Sequence, residues 1–565
     1  MPRAALAAAL AASLTVVAPL TAQGVCDGRP IRAIVIDARN VFSSDDSLIP
    51  RFVRSIGNHL HWQTKVGTVR LDLLFAEGDP CDPRRLSETE RLLRARPYIR
   101  SATVEAHPTA DGGVRVTVRV RDEFSLEVRG TLQNGGEVPL RRLVLTEDDV
   151  VGRGIHAQMY YNSFGRRAAV YGDLLDHHFL NRRLEAELTL GKSEVGPVGE
   201  ESLRRAFESD FDRVAWRESA RYRKEPFPLV STALGTVLQP TVRTGIDLGA
   251  ARRFGVPGQL QVVGMVLSYD RAYTEGTPLA PTAALDSAAA AQLAGRFEER
   301  RRARVHLLVG ARKLAFHPHR GVDAVHGVED VPEGMQAGLV LGKSLFGGGG
   351  LDHDWFSAME LSTGTAVNRR LLVFTRAKVE GRYLESAGKW DGILADGQVL
   401  VYDIGPRTTT VLAADAAGGW NTRTPFQLIL AGGDGLRGYG SLALPVGRRI
   451  VLRGERRYFL GTAFGFADVG GAVFAETGRG WAGDAVFGAN TGMIGTVGVG
   501  LRVGAPRGSR HIYRLDLAVP LSRGLGPELQ LYIGQQFGIF HGEPQDVVRS
   551  RERISSVTVF DFPRF

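Results

Sequence analysis

The sequence predicts a β-dominated chain: a transmembrane antiparallel β-barrel of about 16 strands preceded by one small α+β domain. Three observations predict it. The chain opens like a secretory leader. No later apolar run is long enough for a membrane helix. From Phe124 onward, short segments alternate apolar and polar side chains between glycine-rich or charged breaks.

Residues 1–22 read as a signal peptide: a basic start at Met1-Pro2-Arg3, an apolar run from Ala4 to Leu20, and small residues at Thr21-Ala22. The run is short and alanine-rich, which argues against a membrane anchor. Gln23-Gly24-Val25 lacks the small-residue site that lipidation of Cys26 needs. A tail, 23–30, follows. Only helices and closed barrels satisfy every backbone group in lipid, so the exported chain is soluble or a barrel. Its 69 glycines suit strands, tight turns and close packing rather than a helical protein. Two cysteines cannot support a disulfide scaffold. Both Cys26 and Cys81 meet an oxidising compartment, and the sequence leaves open whether one bond joins them. The net charge of +9 fits a barrel beside anionic headgroups and a generally basic surface equally well. No interleaving of basic and aromatic residues points to nucleic acid.

Residues 31–123 read as the α+β domain. Ile31 to Ile36 is a β-branched strand. Phe52, Val53, Ile56 and Leu60 recur at helical spacing. Asp82-Pro83 opens a stronger helix, with Leu86, Leu92, Leu93 and Tyr98 on its apolar face and Pro97 at its end. Ala102 to Ala106 and Val114 to Val120 form a hairpin across Asp111-Gly112-Gly113. In its second strand Val114, Val116, Val118 and Val120 alternate with polar residues. The segment Leu73-Leu74-Phe75, Gly78-Asp79, Glu90-Arg91, Leu93-Arg94 and Tyr98-Ile99 resembles a POTRA domain. That resemblance implies a sheet edge able to take up an extended peptide.

Residues 124–540 read as the barrel. Leu184, Ala186, Leu188 and Leu190 alternate with polar residues, as do Leu529, Leu531 and Ile533; Tyr513, Leu515, Leu517 and Val519 alternate with a mixed set. In a soluble sandwich these apolar faces form the core; in a barrel they meet lipid. An allowance of roughly two dozen residues per strand and loop gives the count of 16. Asp270 to Arg301 and Thr408 to Arg448 read as extracellular or lumen-filling loops. Residues 541–565 form a C-terminal extension, for which an extra strand, a plug and a disordered end all remain open.

Gly433-Asp434-Gly435-Leu436-Arg437-Gly438-Tyr439, then Glu455-Arg456-Arg457, then Phe474-Ala475-Glu476-Thr477-Gly478 with Trp481, resemble the ordered motifs of the outer-membrane assembly and translocation barrel superfamily. Val497 to Arg502, Arg514-Leu515-Asp516 and the early Asp148 to Gly154 segment extend the match. The family includes the central subunit of the β-barrel assembly machine (BamA), TamA-like factors and two-partner secretion transporters. The resemblance implies a loop-lock motif, Leu436, Arg437, Gly438 and Tyr439, folded into the lumen. Its guanidinium meets an acid on the wall: Glu476 or Asp468, with Glu455 assisting. Asp468 enters because Phe466-Ala467-Asp468-Val469-Gly470 is a second copy of the acidic motif; the later copy is favoured, because Trp481 follows it at the family spacing.

The resemblance further implies an outer-membrane location with the N-terminal domain in the periplasm. Expected partners are unfolded outer-membrane or secreted client proteins, outer-membrane lipid and periplasmic accessory proteins. A client would leave through a seam between the first and last strands. No cofactor, metal or ATP is implied. A single POTRA-like domain departs from the family, as does the segment after the last strand. The rivals are a two-partner-secretion-type transporter, a passive channel and, least favoured, a surface enzyme on a barrel. No nucleophile elbow or catalytic couple is legible. His317, His319 and His353 lack metal-ligand spacing and read as loop residues.

Overall fold

The computed structural model describes residues 26–42, 49–59, 61–132, 140–164, 167–280, 285, 293, 296–345, 353–432, 435–440, 442–522, 524–534 and 545–554. Residues 1–25, which include the expected leader, lie outside them.

The N-terminal sheet holds β1 (Ile31–Arg39), β2 (Ile99–Pro108) and β3 (Val114–Asp122) in the order β1-β3-β2. β1 runs parallel and β2 antiparallel to β3. Helices α1 (Arg51–His59), α2 (Val66–Leu71) and α3 (Pro83–Ala95) connect β1 to β2. The α3 start follows its sequence: Asp82 accepts a bond from the Arg84 amide at 2.9 Å, and Pro83 occupies the first turn, where its missing N–H costs nothing. The alternating valines of β3 bury one face against Leu86, Leu93 and Tyr98. Cys26 and Cys81 form a disulfide with Cα atoms 5.0 Å apart, tying the segment ahead of β1 to the turn ahead of α3. Two details differ from expectation. Six residues of α2 are too few to show a helical period, so this helix is absent from the sequence reading. Phe52 faces outward, 67% exposed.

The barrel strands are β4 (Leu126–Leu132), β5 (Leu140–Glu147), β6 (Ile155–Phe164), β7 (Arg167–Asp176), β8 (Glu185–Lys192), β9 (Pro197–Arg205), β10 (Val214–Ser231), β11 (Gly235–Val256), β12 (Gln259–Thr274) and β13 (Arg300–Arg320). They continue as β14 (Val328–Ser344), β15 (Asp354–Ala366), β16 (Leu371–Leu384), β17 (Lys389–Ile404) and β18 (Thr408–Trp420). A hairpin, β19 (Leu428–Ala431) and β20 (Leu444–Val446), lies outside the barrel sheet. The wall then resumes with β21 (Arg448–Ala463), β22 (Ala467–Trp481), β23 (Ile494–Gly504), β24 (Ile512–Pro520) and β25 (Glu528–Gly534); helix α4 (Gln545–Ile554) follows. Among the described residues the 20 wall strands form one antiparallel meander whose order closes with β4 beside β25.

The count of 16 strands is therefore corrected to 20. Two dozen residues per strand fits β10 to β18, but β4 to β9 are only 7–10 residues long. Both long polar segments are shorter as loops than expected, because β12 runs on to Thr274 and β18 begins at Thr408.

Side-chain orientation separates a barrel from a sandwich. On β12 and β13, Val263, Met265, Leu267, Leu307 and Val309 face outward, each at least 43% exposed. Their neighbours Asp270, Arg302, Arg304 and His306 face inward and are buried. Tyr513, Leu515, Leu517 and Val519 face outward likewise. Apolar residues outside and charges inside suit a sheet wrapped in lipid. Among the described residues no helix is long and apolar enough to cross a membrane.

Candidate functional site

The chain between β18 and β21 returns into the lumen. Its hairpin packs Leu428, Leu430 and Val446 with Phe426, Leu436 and Tyr439, all buried. The Leu436 amide donates to the Leu430 carbonyl at 2.9 Å, turning the backbone so that Arg437 points at the wall.

Arg437, 7% exposed, meets three acids. Its Nε donates to Glu476 Oε1 at 2.7 Å and its backbone N–H to Glu476 Oε2 at 3.0 Å. One terminal nitrogen donates to Glu455 at 3.1 Å and to Asp516 at 2.8 Å. The guanidinium lies 3.5 Å from the centroid of the Phe474 ring. Charge-assisted bonds of this kind are the strong ones, and a buried cation is stable only when so partnered. The acids stand on β21, β22 and β24, whose alternate residues Leu452, Val473 and Leu515 face outward. The network extends along the wall. Arg502 reaches Asp516 at 2.5 Å and Glu455 at 3.3 Å, and Arg457 reaches Glu455 at 3.1 Å.

The other motif residues have separate tasks. Gly438 has φ of +80°, and a Cβ there would stand 3.1 Å from the Ala518 methyl, so glycine lets the loop touch β24. The Tyr439 hydroxyl donates to the Gly495 carbonyl at 2.8 Å. The next residue, Gly440, donates its amide to Glu528 on β25 at 2.7 Å.

The structure thus brings Glu476 and Glu455 to Arg437 and leaves Asp468 elsewhere. Asp468, near the start of β22, accepts from Thr462 and from the Gly508 amide, each at 2.8 Å. Of the two acidic motifs, the later copy, favoured because Trp481 follows it, lies opposite the loop, while the copy at Phe466 begins in the turn ahead of β22. Asp516 was missed as a partner. The signal was present, since alternation with Leu515 and Leu517 puts Asp516 on the inward face. His317 and His319 are corrected from loop to strand; they end β13 and approach Glu333 at 3.0 and 3.3 Å. Their strand alternation is masked by Pro318 between them.

The N-terminal domain docks on the turns at one end of the barrel. Arg94 of α3 pairs with Asp330 of β14 at 2.7 Å. Arg510 donates to the carbonyls of Arg96 and Ile99 at 3.0 Å. Arg183 binds the carbonyls that end α2. The segment Asp148 to Gly154 is a docking turn, where Lys65 and Thr68 donate to the Gly152 carbonyl. A Cβ at Gly152 would fall 2.2 Å from the Gln63 carbonyl oxygen, so a side chain there would part the two domains.

The first and last strands meet beside this end. His511, just ahead of β24, pairs with Glu127 of β4 at 2.8 Å. Burial alone would lower the His511 pKa; the hydrogen bond to Glu127 and the charges of Glu123 and Glu127 outweigh it and raise it. A raised imidazole pKa stabilises fully below the unfolded value of about 6.5 and loses that contribution as pH rises through the folded value. The unfolding midpoint of the native chain will therefore exceed that of His511→Gln at about pH 6, and the difference will shrink as pH rises through the raised folded value. A gap that stays constant with pH contradicts the ion pair.

No family model and no curated protein matches the sequence. Among solved structures the chain is similar to BamA from Haemophilus ducreyi lacking POTRA domains 1–3, at 12% identity, covering 90% of this chain and 85% of that one, with a TM-score of 0.34. It is similar to CdiB from Escherichia coli at 12% identity over 92% of each chain, with a TM-score of 0.37. For CdiB from Acinetobacter baumannii the identity is 10%, the coverage 89% and 73%, and the TM-score 0.34.

Proposed function

We propose that this chain is an outer-membrane factor of the assembly and translocation barrel superfamily, and that it inserts or translocates unfolded client proteins. The observation that carries the reading is the Arg437 lock: a lumen loop held by Glu455, Glu476 and Asp516 and bonded through Gly440 to the last strand. A passive pore has no need of a loop so fixed beside the junction of its first and last strands. In this reading β4 and β25 part, a client strand pairs with the exposed edge, and the client's apolar face passes sideways into lipid.

The docked domain, read as a periplasmic POTRA module, supplies the other half. A client strand adding to β2 meets an edge already in use. The Val104 amide donates to Glu90 at 3.0 Å, and the Ala102 carbonyl accepts from Arg94 at 3.4 Å. Arg94 also holds Asp330, so a client that displaces it loosens the domain from the barrel.

The test is insertion of a urea-denatured outer-membrane barrel into liposomes, with and without this protein embedded. Faster insertion, lost when Arg437 is replaced by Ala, is the expected result. Insertion at the lipid-only rate moves the assignment to a passive channel.

A further inference from the structure

We propose that the C-terminal helix α4 is an internal plug, latched to both the wall and the lumen loop, that holds the lumen closed until displaced. Val547 is 3% exposed and packs with Leu394, Phe426, Leu428 and Val451. Val451 faces inward, since its neighbours Ile450 and Leu452 are 45% and 46% exposed on the outer surface. The helix therefore sits inside the barrel.

Asp546, 1% exposed, is the latch. It accepts two bonds from Arg449 of β21, at 2.5 and 3.0 Å, and one from the Ile429 amide of the loop hairpin at 2.9 Å. One carboxylate thus joins the helix to the wall and to the loop that carries Arg437. Ser550, one turn on, is fully buried.

The sequence of α4 suits a removable element. By sequence, half of its ten residues are charged, a share unusual for an element built into an apolar core. A helix this short is marginal alone, so its contacts hold it together. At 1.5 Å per residue it is roughly 15 Å long, and with side chains about 10 Å wide, enough to obstruct a passage. Arg449 is 4% exposed, so losing Asp546 leaves a buried cation without its acid and favours release. The proposal stands on the barrel alone and not on the client-handling reading.

The experiment is single-channel conductance in planar bilayers. Native protein is compared with Asp546→Ala, with the chain lacking residues 541–565, and with the swap Asp546→Arg plus Arg449→Asp. Heat-dependent gel mobility scores barrel closure for each. A small native conductance that rises several-fold in the first two and returns in the swap is expected. A synthetic peptide of residues 545–554 will then lower the conductance of the truncated barrel. Closed variants that conduct as the native chain does overturn the plug. If the truncated chain does not close, the swap decides: failure to restore the native level overturns it equally. Client insertion is scored separately, so a barrel that opens yet inserts nothing overturns the functional reading and leaves the plug standing.

Discussion

Arg437→Ala is expected to destabilise the barrel by about 3–5 kcal/mol and to abolish client insertion. The substitution removes the donor that Glu476, Glu455 and Asp516 share, leaving buried carboxylates with less compensation. Arg502 and Arg457 remain beside Glu455, so the loss falls hardest on Glu476, which also takes the loop amide. Arg437→Lys keeps the charge but not the fork: an ammonium cannot serve three acids on three strands while lying flat over Phe474, and it should recover under half of the loss. Urea unfolding in lipid, run as a double-mutant cycle with Glu476→Gln, measures the coupling. A coupling below about 0.5 kcal/mol contradicts the lock.

Gly500→Ala should cost about 1–3 kcal/mol although it adds one methyl group. Gly500 sits on β23, where a Cβ would fall 2.1 Å from Asp516 Oδ1 and 2.3 Å from the Arg502 guanidinium. Flexible side-chain ends normally step aside, but both of these are buried and already bonded to the network. Moving Asp516 also withdraws it from Arg437, so Gly500→Ala and Arg437→Ala should combine less than additively. Full additivity in the same urea assay separates the two sites.

How much of this was legible follows from the range of each signal. The β3 valines and the Asp82-Pro83 start are local patterns, and they place a strand and a helix directly. Leu515 and Leu517 alternate cleanly, but a period of two has no sign: it does not say whether water or lipid lies on the apolar side. The inward placement of Asp270 and Arg302 supplies that sign. Register joins residues far apart in sequence, so two similar motifs offered both Glu476 and Asp468, and only the spacing to Trp481 favoured the former. Asp516 was overlooked for the same reason, lying 79 residues from Arg437. Helix α4 was not read from the sequence, because its ten residues offer only Val547, Val548 and Ile554 as apolar positions among charged ones. Strand number failed where strand length changed, since one average period cannot describe both β5 and β11.

The outward-apolar, inward-charged wall reverses the usual map of tolerance to substitution. Shaving Met265 or Leu307 to Ala leaves no void, because mobile acyl chains flow into the space and only the transfer cost remains. Arg302 or Arg304, whose charges are matched to fixed acids, has no such fluid neighbour. Drift among apolar residues will therefore run freely over the outer surface and stall on the inner one, and a library of apolar substitutions read out by growth would display the barrel as alternating permissive and forbidden positions.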